Sequence, residues 1–321
     1  MAHRSQTIDP HGPLTHDAAR STEPRLLCIV GIARTGTNHL AAVLDGIPEI
    51  DTRRELFNPL KCWTMHPHEL AELSRRSGKV FPHTVDSQQT VNVIRRRPGL
   101  ALDCLADLKA PEKRILCFKV FRGQLSRRQV RKAIISRPDT IIVFARRRPI
   151  DAYVSYRKAT YLKQWARVDT TDLKVTLDAA AFLKWWRLTS TWFLRLEAAC
   201  WAMGKPFHRL SYEDDIDCPP AESARRFCAI LEANGIRNLT MPPEDKAIGL
   251  TRQDLNRDVE NRVANWPEFH RRLSEMGALE KAFAPFPHYQ PSTWDKFRHR
   301  LFGARRAPHT DRSLAGSPHR A

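Results

Sequence analysis

Apolar positions along this chain fall into two rhythms. Short β-rich runs occupy residues 26–30, 115–120, 140–145 and 206–210, the pattern of strands buried in a parallel sheet. Between them, apolar residues recur at spacings of three and four, which predicts helices over 125–135, 150–165 and 177–203. The last carries Phe182, Trp185, Thr189, Trp192, Leu196 and Ala199 on one stripe, and its tryptophans (Trp185, Trp186, Trp192, Trp201) are most simply packing residues. Alternation of strands and helices implies an α/β protein, with a central parallel sheet and helices on both faces. Ligands of such sheets sit beyond the carboxyl ends of the strands. The two richest motifs stand there, after Val30 and after Ala145. Residues 1–24 and 303–321 lack periodicity and are polar, so they are expected as disordered tails around one domain at 25–302. No internal repeat breaks that domain.

Composition narrows the partners. The chain has 321 residues with 42% hydrophobic content, enough for one full core. Its formal net charge of +18 points to anionic partners: nucleic acid, a membrane surface or a polyanionic nucleotide. The arginines are spread along the whole chain, so a solvated basic surface explains much of that charge as well. No helix-turn-helix, zinc-finger or RNP-type signature supports specific nucleic-acid binding. Seven cysteines form no C-x-x-C pair, and Cys28 and Cys117 fall inside strand runs. That usage suggests structural thiols in a reducing compartment. With no apolar leader segment and no membrane-length apolar run, a cytoplasmic protein is expected.

The segment RLLCIVGIARTGTNHL (25–40) is an apolar run, a turn with two glycines, then an amphipathic start. A strand entering a loop and a helix N-terminus in this way offers amides and a helix dipole to an anion. Gly31 and Gly36 have the spacing of a nucleotide P-loop, but Thr37 and Asn38 follow where an NTPase needs Lys and Ser/Thr. A cation stands inside the loop instead, at Arg34. This suits a donor carrying phosphate or sulfate without Mg-ATP chemistry, and it argues against a kinase. In the second motif, RRRPIDAYVSY (146–156), Pro149 is placed to open a helix. Arg147 precedes that helix and Ser155 lies two turns into it, so a guanidinium fork and a hydroxyl can meet on one phosphate.

At these residues the chain resembles the sulfotransferases that use 3′-phosphoadenosine-5′-phosphosulfate. ARTGTNHL is similar to their 5′-phosphosulfate loop, and Arg147 to Ser155 to their 3′-phosphate motif, R-x-P-x-D-x-x-V-S. Further blocks resemble bacterial carbohydrate sulfotransferases of the nodulation-factor and trehalose type. They are Glu55 in TRRELFNP, Lys119 in FKVFRGQL, Gln164-Trp165, Tyr212-Glu213 in RLSYED, and TRQDLNRDVENRVANWPEF. The loop departs from many cytosolic members in carrying Arg34 where they have Lys.

The resemblance implies a P-loop-like three-layer fold, the phosphosulfate nucleotide as donor, and a carbohydrate or glycolipid hydroxyl as acceptor, with no metal. The amides of Thr35, Gly36, Thr37 and Asn38 would cradle the 5′-phosphate, with Arg34 against the leaving group. Arg147 and Ser155 would hold the 3′-phosphate, and Arg252 would close over it. Thr37 and Asn38 also suit plain helix caps.

The resemblance makes Glu55 the general base, although Arg53 and Arg54 beside it equally suit a surface ion pair. His66 and His68, around Pro67, are the next candidates for the base, or an ordinary loop pair. Lys119 stands near the end of an apolar strand, where an ammonium is costly to bury, and the family pattern makes it a second cation near the sulfuryl group. The acceptor pocket is expected from the 58–87 loops, and the basic surface would suit an anionic membrane carrying a glycolipid. Oligomeric state is not legible.

Overall fold

The computed structural model describes residues 24–165, 168–242, 250 and 252–296. The expected tails lie outside these residues apart from Pro24, as does Thr251 of the TRQDL segment. Five parallel strands form one sheet: β1 (Leu26–Gly31), β2 (Ile50–Thr52), β3 (Ile115–Phe121), β4 (Thr140–Arg146) and β5 (His208–Ser211). Their order is β2-β3-β1-β4-β5. β1 is central, with Leu26 level with Leu116 on one side and Thr140 on the other. The chain leaves β1 toward β2 and β3, then crosses to β4 and β5. A crevice therefore opens where the winding reverses, beyond the carboxyl end of β1.

Strand alternation sends successive side chains to opposite faces. Cys28, Val30, Phe118 and Phe144 pack on one face against α2 (Pro67–Ser77), α3 (Gln88–Arg96), α4 (Pro98–Leu108) and α7 (Ala179–Ala202). Leu27, Ile29, Cys117 and Val143 pack on the other, against α1 (Thr37–Asp45) and α8 (Pro220–Ala233). The three-layer α/β architecture is thus the one the sequence implies. A third apolar cluster lies off the sheet, where α6 (Pro149–Leu162) meets α7, α9 (Val259–Arg262), α10 (Trp266–Glu275) and α11 (Leu279–Phe283). It holds α6, and with it Ser155, against the later part of the chain.

Three boundaries differ from the sequence reading. The helix expected over 125–135 is split into α5 (Arg127–Val130), opened by a Ser126–Gln129 capping box, and one π turn at Arg131–Ile135. That turn buries Ala133, Ile134 and Ile135 in succession. Helix α6 stops at Leu162 because Lys163 adopts the left-handed conformation, φ 54°, a common helix terminator. β5 begins at His208, which is level with Val143, and the Phe207 ring before it packs on Phe144, 5.3 Å away. All seven cysteines are free. Among the described residues, no helix is long and apolar enough to cross a membrane.

Candidate active site

The strand ends deliver the sequence-selected residues to one rim. β1 enters the loop Ile32–Gly36, in which Arg34 (φ 74°) and Gly36 (φ 72°) are both left-handed. Alternating left- and right-handed residues form concavities lined by N–H groups that bind anions. Gly36 is required twice over. It caps α1 in a conformation that disfavours side chains, and a Cβ there would meet the Tyr212 ring at 2.5 Å. Thr35, fully buried, braces the loop by donating its hydroxyl to the Ile32 carbonyl at 2.8 Å. The amides of Thr37 and Asn38, in the first turn of α1, lie beyond the reach of intrahelical acceptors.

From β4 comes Arg147. Its guanidinium lies 4.1 Å over the Tyr212 ring and donates to the Arg34 carbonyl at 3.1 Å. Its Nε, like those of Arg53 and Arg146, is buried with no partner among the described residues. Tyr212, directly after β5, is therefore a platform with Gly36 against it and Arg147 over it. The Tyr212 hydroxyl donates to Asp217 at 3.2 Å, and Asp217 also takes Arg252 at 3.2 Å. In the sequence Tyr212 stands out only as part of RLSYED, without this role. Its signal was the placement of RLSYED at the end of a strand.

Arg34 does not point into its own loop. It crosses to α6, donating from Nε to the Ser155 hydroxyl at 2.9 Å, and to the Trp165 carbonyl and the Gln253 side-chain amide. Its guanidinium rests on the α6 side of the loop. The left-handed backbone turns it toward the Arg147 side, where two carbonyl oxygens and a hydroxyl receive it. Burial, reinforced by the charge of Arg147, pulls its pKa down to about 10. Lys158, one turn beyond Ser155 and nearly fully buried, donates to the Thr170 carbonyl at 2.7 Å and to Asp254 at 2.8 Å. It fastens the 252–254 segment, and so Gln253 and Arg252, beside the clamp.

The opposite side of the loop carries the other pair. After β2 the chain continues along β3, with the Arg53 amide on the Cys117 carbonyl and the Lys119 amide on the Arg54 carbonyl. This places Glu55 at the carboxyl end of β3. Its carboxylate accepts from the Gln124 amide at 2.9 Å and the Asn58 amide at 3.1 Å. The ion pair that the neighbouring arginines suggested is not formed by Arg53, which is buried between Asp51 (2.8 Å) and Glu69 (2.7 Å). Glu69 comes from α2, so this diversion was invisible in the local sequence. Lys119 is buried, and its ammonium donates to the Asn38 side chain. Burial lowers its pKa to about 8, with the nearby Glu55 carboxylate opposing the shift. His66 and His68 are exposed and stack on each other at the start of α2, where Glu69 accepts from the His66 amide at 2.7 Å. They serve the helix end.

A family model described as "Sulfotransferase family" matches residues 25–234. The chain belongs to the sulfotransferase family. The match begins at the strand feeding the Gly31–Gly36 loop and takes in α6, Glu55, Lys119 and Tyr212. It stops short of Arg252 and Gln253, which reach this family site through Lys158 and Arg34. Two solved structures are similar. One is sulfotransferase STF1 from Mycobacterium tuberculosis H37Rv, with 14% identity and a TM-score of 0.40 over 79% of this chain and 77% of that one. The other is a sulfotransferase from Alicyclobacillus acidocaldarius, with 17% identity and a TM-score of 0.38 over 79% of this chain and 95% of that one. No curated protein matches the chain.

Proposed function

We propose that this chain transfers a sulfuryl group from 3′-phosphoadenosine-5′-phosphosulfate to a hydroxyl of a carbohydrate or glycolipid. The observation that carries the reading is the convergence of Arg34, Arg147 and Ser155, from β1, β4 and α6, beside an N–H-lined loop. Among the described residues Arg147 has no carboxylate partner and takes one hydrogen-bond acceptor, the Arg34 carbonyl, which leaves N–H donors for a ligand. A 3′-phosphate accepts from them. Arg252 reaches the same phosphate by exchanging Asp217 for it. The seven free thiols fit a reducing cytoplasm.

The nucleotide supplies an activated sulfuryl group on a good leaving phosphate. The protein's own work is positioning and charge stabilisation, as in phosphoryl transfer. The 35–38 amides receive the 5′-phosphate, and Lys119, held at the start of α1 by Asn38, sets a positive charge where negative charge develops. Glu55, oriented by two amide donors and free of Arg53, takes the proton of the acceptor hydroxyl. Removing that base tests the assignment. Glu55→Ala should lower kcat by about 10²–10⁴-fold while the affinity for 3′,5′-adenosine bisphosphate, measured calorimetrically, stays unchanged. A parallel loss of both would move the base elsewhere.

A further inference from the structure

Away from the nucleotide loop, one groove of about 640 Å³ runs between α7 and the α5–π-turn segment. Four arginines line it, Arg127, Arg128 and Arg131 from one side and Arg195 from the other, together with Ser126 and a floor that includes Leu196. No carboxylate is among the lining residues. All four arginines are exposed, and none has a side-chain acceptor or an acidic partner among the described residues. The contrast with Arg137, a few residues on, is direct: that guanidinium is taken by Asp103 at 2.7 Å and Asp139 at 3.0 Å. Like charges gathered in a concave site repel one another and focus a positive potential that draws in anions. The Ser126 hydroxyl accepts from the Gln129 amide, which leaves its proton free for a ligand.

We propose that this groove is an anion subsite for an oligosaccharide that bears carboxylate or sulfate groups. Guanidinium forks match such groups in pairs, and the volume lies in the range of small-ligand sites. The lining holds no aromatic ring on which a nucleobase could stack, which disfavours single-stranded nucleic acid. Nor does it include a large exposed apolar side chain for insertion into a bilayer, since Leu196 is buried. Position supplies the functional link. Ser126 follows Gln124 by two residues, at most about 7 Å of chain, and Gln124 holds the Glu55 carboxylate. Anionic sugars seated on the arginines can therefore extend toward Glu55, making the groove a specificity element of the acceptor side. That link rests on the sulfotransfer reading above, whereas capture of the anionic sugar does not.

The experiment is titration of the full chain with an oligogalacturonate, and with a maltooligosaccharide of equal length as the neutral control. It is repeated on the variant Arg127→Gln/Arg131→Gln/Arg195→Gln. These side chains are exposed, so unfolding is not expected, and 3′,5′-adenosine bisphosphate binding reports an intact donor site. The expected result is binding of the charged sugar only, weakened at least tenfold in the triple variant and by added salt, with bisphosphate affinity unchanged. Equal binding by the variant would assign capture to the diffuse +18 charge and overturn the proposal. So would equal binding of the neutral sugar, or phosphatidylglycerol vesicles engaging the three arginines while the oligogalacturonate does not. Failure of the bisphosphate to bind the unaltered chain would instead count against the donor reading.

Discussion

Arg146 and Arg147 are neighbours at the end of β4, and the two arginines live in opposite circumstances. Arg146 points to the face covered by α7, where its guanidinium lies 4.7 Å over the Phe193 ring and meets Glu197 at 2.7 Å. Its other end donates to the Phe286 and Pro287 carbonyls at 3.1 Å and meets His288 Nδ1 at 2.6 Å. Glu197, fully buried, also takes Arg209 at 2.9 Å and the Tyr289 amide at 2.7 Å. Burial alone would raise its pKa, but His288, Arg146, Arg209 and that amide outweigh it and leave the carboxyl near 2. Arg147, turned the other way, has one backbone carbonyl and an aromatic ring but no carboxylate partner among the described residues, while the Nε of both arginines is buried without a partner. The same residue type is a structural clasp where its acceptors come from the chain, and is proposed to be a ligand site where the chain supplies a single carbonyl.

Glu197→Ala should break the comparison on the structural side. Removing the carboxylate strands Arg146 in the interior, at a cost of about 3–5 kcal/mol, read as a lowered denaturation midpoint. The fraction that stays folded should bind 3′,5′-adenosine bisphosphate as before. Unchanged stability would mean that the clasp is ornamental. On the ligand side, Arg147→Ala should cost about 1.5–3 kcal/mol of bisphosphate binding, the worth of a hydrogen bond to a charged group, or roughly 10–150-fold in Kd. Its own denaturation midpoint should move far less than that of Glu197→Ala, and the reverse ordering would refute the division of labour. Ser155→Ala removes a neutral donor from the same clamp, so a smaller loss of about 0.5–1.5 kcal/mol is expected.

The pH dependence separates the two regions as well. Glu197 titrates lower in the folded chain than in the unfolded one, so its stabilisation is full above the ordinary carboxylate pKa. It is lost as pH falls from about 4.5 toward 2, and Glu197→Gln should flatten this acid limb. At the site, Lys119 sheds its proton near pH 8. A reaction that needs its ammonium should show kcat/KM falling above about pH 8 in the free enzyme. A profile flat to pH 9.5 would remove Lys119 from the chemistry. Folding responds in the opposite sense: between about pH 8 and the ordinary lysine pKa the unfolded chain binds more protons, so stability gains from Lys119 as pH rises.

Much of this was legible in the sequence for a physical reason. Strands buried on both faces leave continuous apolar runs, so β1, β3 and β4 could be read within a residue or two. The two motifs proposed for the donor also stand in local order, each directly after a strand run. What escaped depended on distant residues. β2 is three residues long and is recognisable only by its pairing with β3. The freeing of Glu55 depends on Glu69 from α2 capturing Arg53. The turn of Arg34 toward Ser155 depends on Trp165 and Gln253, far along the chain. The π turn after α5, and with it the Arg127–Arg195 groove, follows from packing that periodicity does not encode.

The central proposal is that the loop amides beyond β1 and Arg147 beyond β4, a cation with no acidic partner among the described residues, bind a bisphosphate nucleotide. Thermal unfolding of the full chain with 3′,5′-adenosine bisphosphate, set against ATP with magnesium, tests it most directly. At 100 times its dissociation constant the bisphosphate should add about 2.7 kcal/mol, an upshift of several degrees for a domain of this size, and Arg147→Ala should abolish most of it. A shift with Mg-ATP alone, or none with either nucleotide, would contradict the account.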